Sequence, residues 1–372
     1  MQTEEGHAET GQKSRGPWRK LDALAIALPV AVALRVFSAP PALVFIASAL
    51  AVVPLAGLIG RATEVLAEVV GGSLGALLNA TFGTAAEIIL GAFLVIDGQI
   101  AVLKASLTGS LIGNVLLLLG VAMVVSGWGR KQAPVTAGAR GQTTLLFLAV
   151  VIFVLPTIFA SLEEGSATRV DEVSDAIAIV LVVVYALGLL FMLRTHRSLF
   201  RTEPAQEGRG DHAAEPGGTW STKGAVAVLA VATALTAVAA ELVAGSVEQA
   251  GAALGLGTGF LGFIVVPLVG NAAEQFSALS LAAKDRLDVA ADIAISASLQ
   301  LVMLVVPLMV LIGVIVGHHV SLTFSTIELA GLISGALLTR QAVDDREGNW
   351  FEGVMLIALY LAFAIAVFFV EV

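Results

Sequence analysis

The chain of 372 residues contains no cysteine, and only 13% of it is charged. The first absence excludes disulfides, thiolate metal sites and cysteine nucleophiles. The second excludes an ordinary soluble domain, where roughly a quarter of residues carry charge. No basic stretch is interleaved with aromatics, so nothing points to nucleic acid. What is present is apolar: 58% hydrophobic residues and a mean hydropathy of +0.94. That is enough for about ten or eleven membrane-spanning helices of ~20 residues each. The formal net charge of −9 says little, because in a membrane protein the location of charge counts for more than its total.

Apolar runs lie near 21–41, 42–60, 72–96, 99–126, 142–162, 173–193, 224–244, 254–283, 287–316, 321–340 and 350–371, which predicts an all-α polytopic membrane protein of eleven transmembrane helices. Residues 1–20 are polar and end in Trp18-Arg19-Lys20, residues suited to a membrane edge. The run from Leu21 to Phe37 is long for the core of a signal peptide and is followed by Pro40-Pro41, so it reads as an uncleaved first helix. With the N-terminus in the cytoplasm and the helices alternating, all but Arg35, Lys104 and Arg169 of the 20 lysines and arginines fall on the cytoplasmic side. This is the asymmetry of the positive-inside rule, and an error of one helix would scramble it. The localisation that follows is an inner (cell) membrane of bacterial type.

The longest loop, 194–223, is a cytoplasmic linker rich in glycine and mixed charge. Five helices (42–193) precede it after the extra first one, and five (224–372) follow it. An odd number per half inverts one copy relative to the other, giving two inverted five-helix repeats.

Each half carries a carboxylate deep in an apolar run, beside glycine and small residues: Gly83-Thr84-Ala85-Ala86-Glu87 and Gly270-Asn271-Ala272-Ala273-Glu274. A charge at that depth costs about 2.5–3.5 kcal/mol on insertion scales and commonly marks an ion pathway. Glycine and small neighbours let a helix break, which is tolerated where the freed backbone lines a cavity. Downstream of each glutamate a polar stretch repeats, Ser110 and Asn114 corresponding to Ser296 and Gln300. Carboxylates, amides, hydroxyls and freed carbonyls are hard oxygen donors, which suit Ca²⁺. Two glutamates neutralise one divalent ion or hold two protons, so the two loads compete for the same oxygens. That competition outlines an exchange mechanism.

These segments resemble the cation/proton exchanger (CAX) family of the calcium/cation antiporter superfamily. The first signature is Asn79-Ala80-Thr81-Phe82-Gly83-Thr84-Ala85-Ala86-Glu87 and the second Pro267-Leu268-Val269-Gly270-Asn271-Ala272-Ala273-Glu274. Ser106 to Asn114, Lys284-Asp285-Arg286-Leu287-Asp288, and Asp345 with Asn349-Trp350-Phe351-Glu352-Gly353 follow the same family in order, over roughly residues 42–371. The resemblance implies Ca²⁺ export driven by protons, with Glu87 and Glu274 essential. It implies Asn271, Ser110, Asn114, Ser296 and Gln300 as further ion-site groups, and Thr84 stands at the matching position of the first signature. Thr84 replaces the usual asparagine, and Gln275 a usual histidine. The alternatives within the same site are Na⁺/H⁺ or Na⁺/Ca²⁺ exchange, and a cation channel is a rival from another class.

The remaining polar residues are expected around that centre. Glu328, eight residues into the tenth run, is a further candidate for proton coupling, with packing as its bland reading. Glu64, Glu68, Glu241 and Glu248 sit at helix ends as candidate gates or solvated faces. Asp288 and Asp292 either funnel cations or pair with Lys284 or Arg286. Lys104 is expected to snorkel to the outer interface, and His318-His319 to be incidental in an external loop. The partners are the transported cation, protons and lipid; no cofactor and no enzymatic activity are expected, and a homo-oligomer stays open.

Overall fold

The computed structural model describes residues 22–71, 75, 78, 81–128, 133–134, 137–162, 167–191, 220–344 and 347–370. The N-terminal tail, Asn79 and Ala80 of the first signature, all but the last few residues of the linker, and Asp345 lie outside these.

The described residues fold into α1 (Ala27–Val36), α2 (Pro41–Val70), α3 (Ala85–Ile96), α4 (Ile100–Gly127), α5 (Ala137–Leu162), α6 (Ala167–Leu190), α7 (Thr222–Ala244), α8 (Val247–Leu254), α9 (Thr258–Gly270), α10 (Ala272–Ala282), α11 (Leu287–Val316), α12 (Thr326–Asp344) and α13 (Trp350–Phe369). A two-residue antiparallel pairing of Ala133-Pro134 with Glu347-Gly348 is the strand structure among them. Among the described residues, seven helices are long and apolar enough to cross a membrane: α2, α4, α5, α6, α7, α11 and α13. The pair α8–α9, bent by 117° at its break, makes an eighth if taken as one span.

Local chemistry fixes several boundaries. Pro41 starts α2, where its missing N–H costs nothing, and Gly71 ends it at φ +65°. The Ser221 hydroxyl accepts from Gly224 N to open α7. Asn349 and Glu352 cap each other's backbone to open α13. Within α9 and α11, π-helical turns at Leu261–Val265 and Leu301–Val305 fall just before Pro267 and Pro307, whose missing N–H interrupts the α ladder. A third π turn, Gly113–Leu118, lies inside α4.

Helices from the two parts of the chain interleave. α2 and α3 pack on α7, α4 crosses α9, and α5 packs on α11 and α12. The crossing of α4 and α9 is close because both faces are small. A Cβ on Gly109 would strike the Phe263 backbone, and one on Gly262 would sit 2.8 Å from the Val102 carbonyl oxygen. The result is a graded bundle: 78% of the α4 span is buried inside the protein against 17% of α6.

The connections sort to two ends. At one end Gln99 Nε2 donates to Glu248 Oε2 at 3.2 Å, and His318 Nδ1 lies 2.8 Å from the Val95 carbonyl oxygen. At the other, Trp128 and Trp350 meet edge to face at 5.6 Å, and Ser126 Oγ donates to the Ala282 carbonyl at 2.9 Å.

The structure corrects several expected boundaries. α2 runs to Val70 rather than stopping near residue 60, so Glu64 and Glu68 lie within the helix. The tenth run opens as extended chain, with Val320, Leu322 and Phe324 buried on alternate positions, and its helix begins only at Thr326. Glu328 is therefore the third residue of α12, not the eighth of its span. The short α8 was not expected, and the run 254–283 is two helices meeting at Asn271.

Candidate cation site

The two acidic segments break their helices in the same way. Thr84 precedes α3 with φ −93° and ψ 12°, and Asn271 separates α9 from α10 with φ −94° and ψ 6°. Each break sits three residues before its glutamate, so both carboxylates occupy the first turn of a helix that starts inside the bundle. A helix start carries unsatisfied N–H groups and partial positive charge, which favours an acid there.

The segments meet on α4. Asn271 Nδ2 donates to Ser110 Oγ at 2.9 Å, and Ser110 Oγ donates to Glu87 Oε1 at 3.1 Å. Glu274 is close enough for its charge and that of Glu87 to act on one another. Gly270 lies directly against the Glu87 carboxylate, since a Cβ there would sit in van der Waals contact with Glu87 Cγ at 3.5 Å. A small cleft reaches the cluster, lined by Glu87, Ser106, Ser110 and Gly270 among apolar residues that include Leu103 and Val305.

Several oxygens around this point are buried without a partner among the described residues: Thr84 Oγ1, Asn114 Oδ1, Asn271 Oδ1 and Glu274 Oε2. Thr84, Asn114 and Asn271 are each 1% exposed. An orphaned acceptor in a bundle core is costly, and three neutral oxygens together with a free carboxylate oxygen have the chemistry of a donor set for a hard cation. Among the described residues no three histidine, cysteine or acidic side chains gather. The oxygens that could face a cation here are therefore those of two carboxylates and of neutral side chains.

The other expected site residues divide. Asn114 lies one turn beyond Ser110, at the start of the α4 π turn. Ser296 Oγ donates to its own helix, to the Ile293 carbonyl at 3.2 Å, and Gln300 is partly buried just before the α11 π turn. Glu64, Glu68, Glu241 and Glu248 are exposed and are not drawn into the cluster. Glu328 is buried but engaged elsewhere: Ser325 N and Ser325 Oγ donate to its Oε2 at 2.8 and 2.9 Å, and Glu328 N donates back to Ser325 Oγ at 3.3 Å. This reciprocal capping was written in the sequence as Ser325-Thr-Ile-Glu328 and was missed.

Outside the cluster, Asp288 pairs with Arg286 at 3.1 Å, and that carboxylate holds the exposed guanidinium pKa above its usual value. Lys104 does not snorkel outward: its Nζ donates to Thr323 Oγ1 at 3.0 Å and lies 5.7 Å from the Phe324 ring centre. His318 is not incidental either, since its ring packs on Gly98 and bonds at the end of α3.

An all-helical bundle with two acids at internal helix breaks is the architecture of a membrane cation transporter. The chain belongs to the sodium/calcium exchanger protein family, whose description it matches over residues 41–194 and 224–369. It is 38% identical over 340 residues to a Ca(2+)/H(+) antiporter of Synechocystis sp., covering 88% of this chain and 91% of that one. It is 34% identical to the Ca(2+)/H(+) antiporter ChaA of Bacillus subtilis, over 93% of this chain and 97% of that one. Among solved structures it resembles native YfkE, with a TM-score of 0.80, 31% identity and coverage of 95% of this chain and 100% of that one. The fold is also that of the H+/Ca2+ exchanger CAX, with a TM-score of 0.73 at 17% identity over 93% of this chain and 86% of that one.

Proposed function

We propose that the protein is a secondary antiporter that exports Ca²⁺ in exchange for H⁺ through the cluster of Glu87, Glu274, Asn271, Ser110, Thr84 and Asn114. The observation that carries this reading is the Asn271–Ser110–Glu87 hydrogen-bond chain, which ties the two acidic segments together beside the unpartnered oxygen of Glu274. Two carboxylates in a dehydrated bundle cannot both keep their charge uncompensated. One Ca²⁺ or two protons compensates it, so loss of one load favours uptake of the other. The names of the Synechocystis and Bacillus relatives support calcium and protons as that pair.

In this reading Ser296 and Gln300 approach the ion in another stage of the cycle, since Ser296 is here turned to its own helix. The exposed carboxylates Glu64, Glu68, Glu241 and Glu248 attract cations toward the mouths. The chain crosses the membrane eleven times, as two inverted five-helix units, 42–193 and 224–372, after an extra first helix. Each of the eleven apolar runs contains helix, and loops of opposite expected sidedness lie at opposite ends of the bundle, which supports this layout. The N-terminus and the 194–223 linker are cytoplasmic, and the membrane is a bacterial-type cell membrane.

A second reading, Na⁺ in place of one load, is kept by the family's own description as a sodium/calcium exchanger. The deciding experiment is radioactive Ca²⁺ uptake into inverted vesicles under an imposed pH gradient, for the wild type and Glu274→Gln. Proton-driven uptake lost in the variant supports the proposal. Uptake that follows a sodium gradient and ignores pH contradicts it.

A further inference from the structure

Behind Ser110, on the face of α4 turned away from the cleft, lies a second polar cluster that the exchange reading does not use. Lys104 and Thr108, four residues apart, share that face; Leu103, Ser106, Leu107 and Ser110 line the cleft on the other. Thr108 Oγ1 is 3.1 Å from Glu328 Oε1 on α12, which is 3% exposed. The carboxylate therefore has both oxygens engaged, one by Thr108 and the other by the Ser325 cap. The backbone oxygens of Lys104 and Ala105, each 3.0 Å from Thr108 Oγ1, compete for its single proton, and a charged carboxylate is the strongest of the three acceptors. Lys104, bonded to Thr323 in the strap just before α12, brings a positive charge within range of Glu328 and of Asp171 on α6.

We propose that Thr108, Lys104 and Glu328 form a positioning lock that pins α4 to the start of α12 and thereby sets where Ser110 presents its hydroxyl. Glu328 then serves as a fixed anchor for α4 and not as a carrier of the exchanged proton. The inference rests on the reading of Ser110 as part of the ion site. Three features favour it over ordinary packing. The lock joins the helix at Thr108, half a turn from Ser110. All the groups in it are charge-assisted or doubly bonded. The corresponding positions of α11, Ala290 and Ala294, carry no polar group and are fully buried.

The test is Ca²⁺-dependent exchange in proteoliposomes for the wild type, Glu87→Gln, Thr108→Val, Thr108→Ser and Glu328→Gln, with thermal unfolding in detergent as a control. Thr108→Val should raise the Ca²⁺ concentration for half-maximal exchange by about tenfold, which is what losing one hydrogen bond to a charged group amounts to. The maximal rate should stay within about twofold of wild type, and Thr108→Ser should restore the Ca²⁺ dependence, since the loss falls on binding alone. Glu328→Gln, which keeps the cap, should leave the pH profile in place. An unchanged Ca²⁺ dependence in Thr108→Val overturns the proposal, and so does a displaced pH profile in Glu328→Gln. If Glu87→Gln behaves as wild type, the ion-site reading itself fails, separately from the lock.

Discussion

The two acidic segments share a backbone but not a wiring. Thr84 and Asn271 adopt nearly the same φ and ψ ahead of Glu87 and Glu274. Yet Glu87 is held by Ser110, which Asn271 holds in turn, whereas Glu274 keeps an oxygen without a partner among the described residues. The polar helices differ in the same sense. Ser110 of α4 bridges both segments, while Ser296 of α11 bonds its own backbone. The contrast teaches that similar helix breaks can present one acid held by a neighbouring helix and one with an oxygen left over.

The comparison breaks most sharply at the acids. Glu87→Gln or Glu274→Gln should each lower exchange by roughly 100-fold or more, since either leaves the remaining charges of the site mismatched by about 3–5 kcal/mol. Initial rates of Ca²⁺ flux in vesicles measure it, and a variant retaining more than a tenth of the wild-type rate argues against a shared site. The serines sharpen the contrast. Ser110→Ala removes a hydroxyl that accepts one bond and donates another to a carboxylate, worth about 1.5–3 kcal/mol, and should weaken apparent Ca²⁺ affinity by roughly 10- to 100-fold. Ser296 bonds only its own helix in the arrangement seen here and meets the ion in another stage alone, so Ser296→Ala should cost less Ca²⁺ affinity than Ser110→Ala, about tenfold or less. Equal effects of the two would abolish the asymmetry.

Below these come changes of stability. Gly109→Ala forces α4 away from the Phe263 backbone and should cost about 1–3 kcal/mol, read as earlier thermal unfolding in detergent. Asp288→Asn removes an ion pair whose members are 48% and 28% exposed, and should change stability by about 0.5 kcal/mol or less by the same measurement.

Much of this was legible in the residues. Long apolar runs locate helices because lipid leaves the backbone no other partner, and α11 falls on residues 287–316 as read from hydropathy. Glycine and an amide beside a deep acid marked the break at Asn271. Other features were hidden by the same hydropathy. In Val320-Ser-Leu-Thr-Phe-Ser325 the alternation of apolar and polar residues encodes extended chain, but its average is that of a helix. Its backbone is satisfied by side chains from elsewhere, Thr157 for Phe324 N and Ser174 for Leu322 N, which no local pattern announces. Lys104 misled for a related reason: a lone lysine near a helix end snorkels unless a partner such as Thr323 arrives from over 200 residues away.

The most direct measurement follows the pH inside liposomes that hold Ca²⁺ and the purified protein, diluted into Ca²⁺-free buffer. Outward movement of Ca²⁺ through the wild type should acidify the lumen, and Glu274→Gln should not. A lumen that acidifies equally with both proteins, or responds only when sodium is supplied, contradicts the exchange of calcium for protons at this pair of acids.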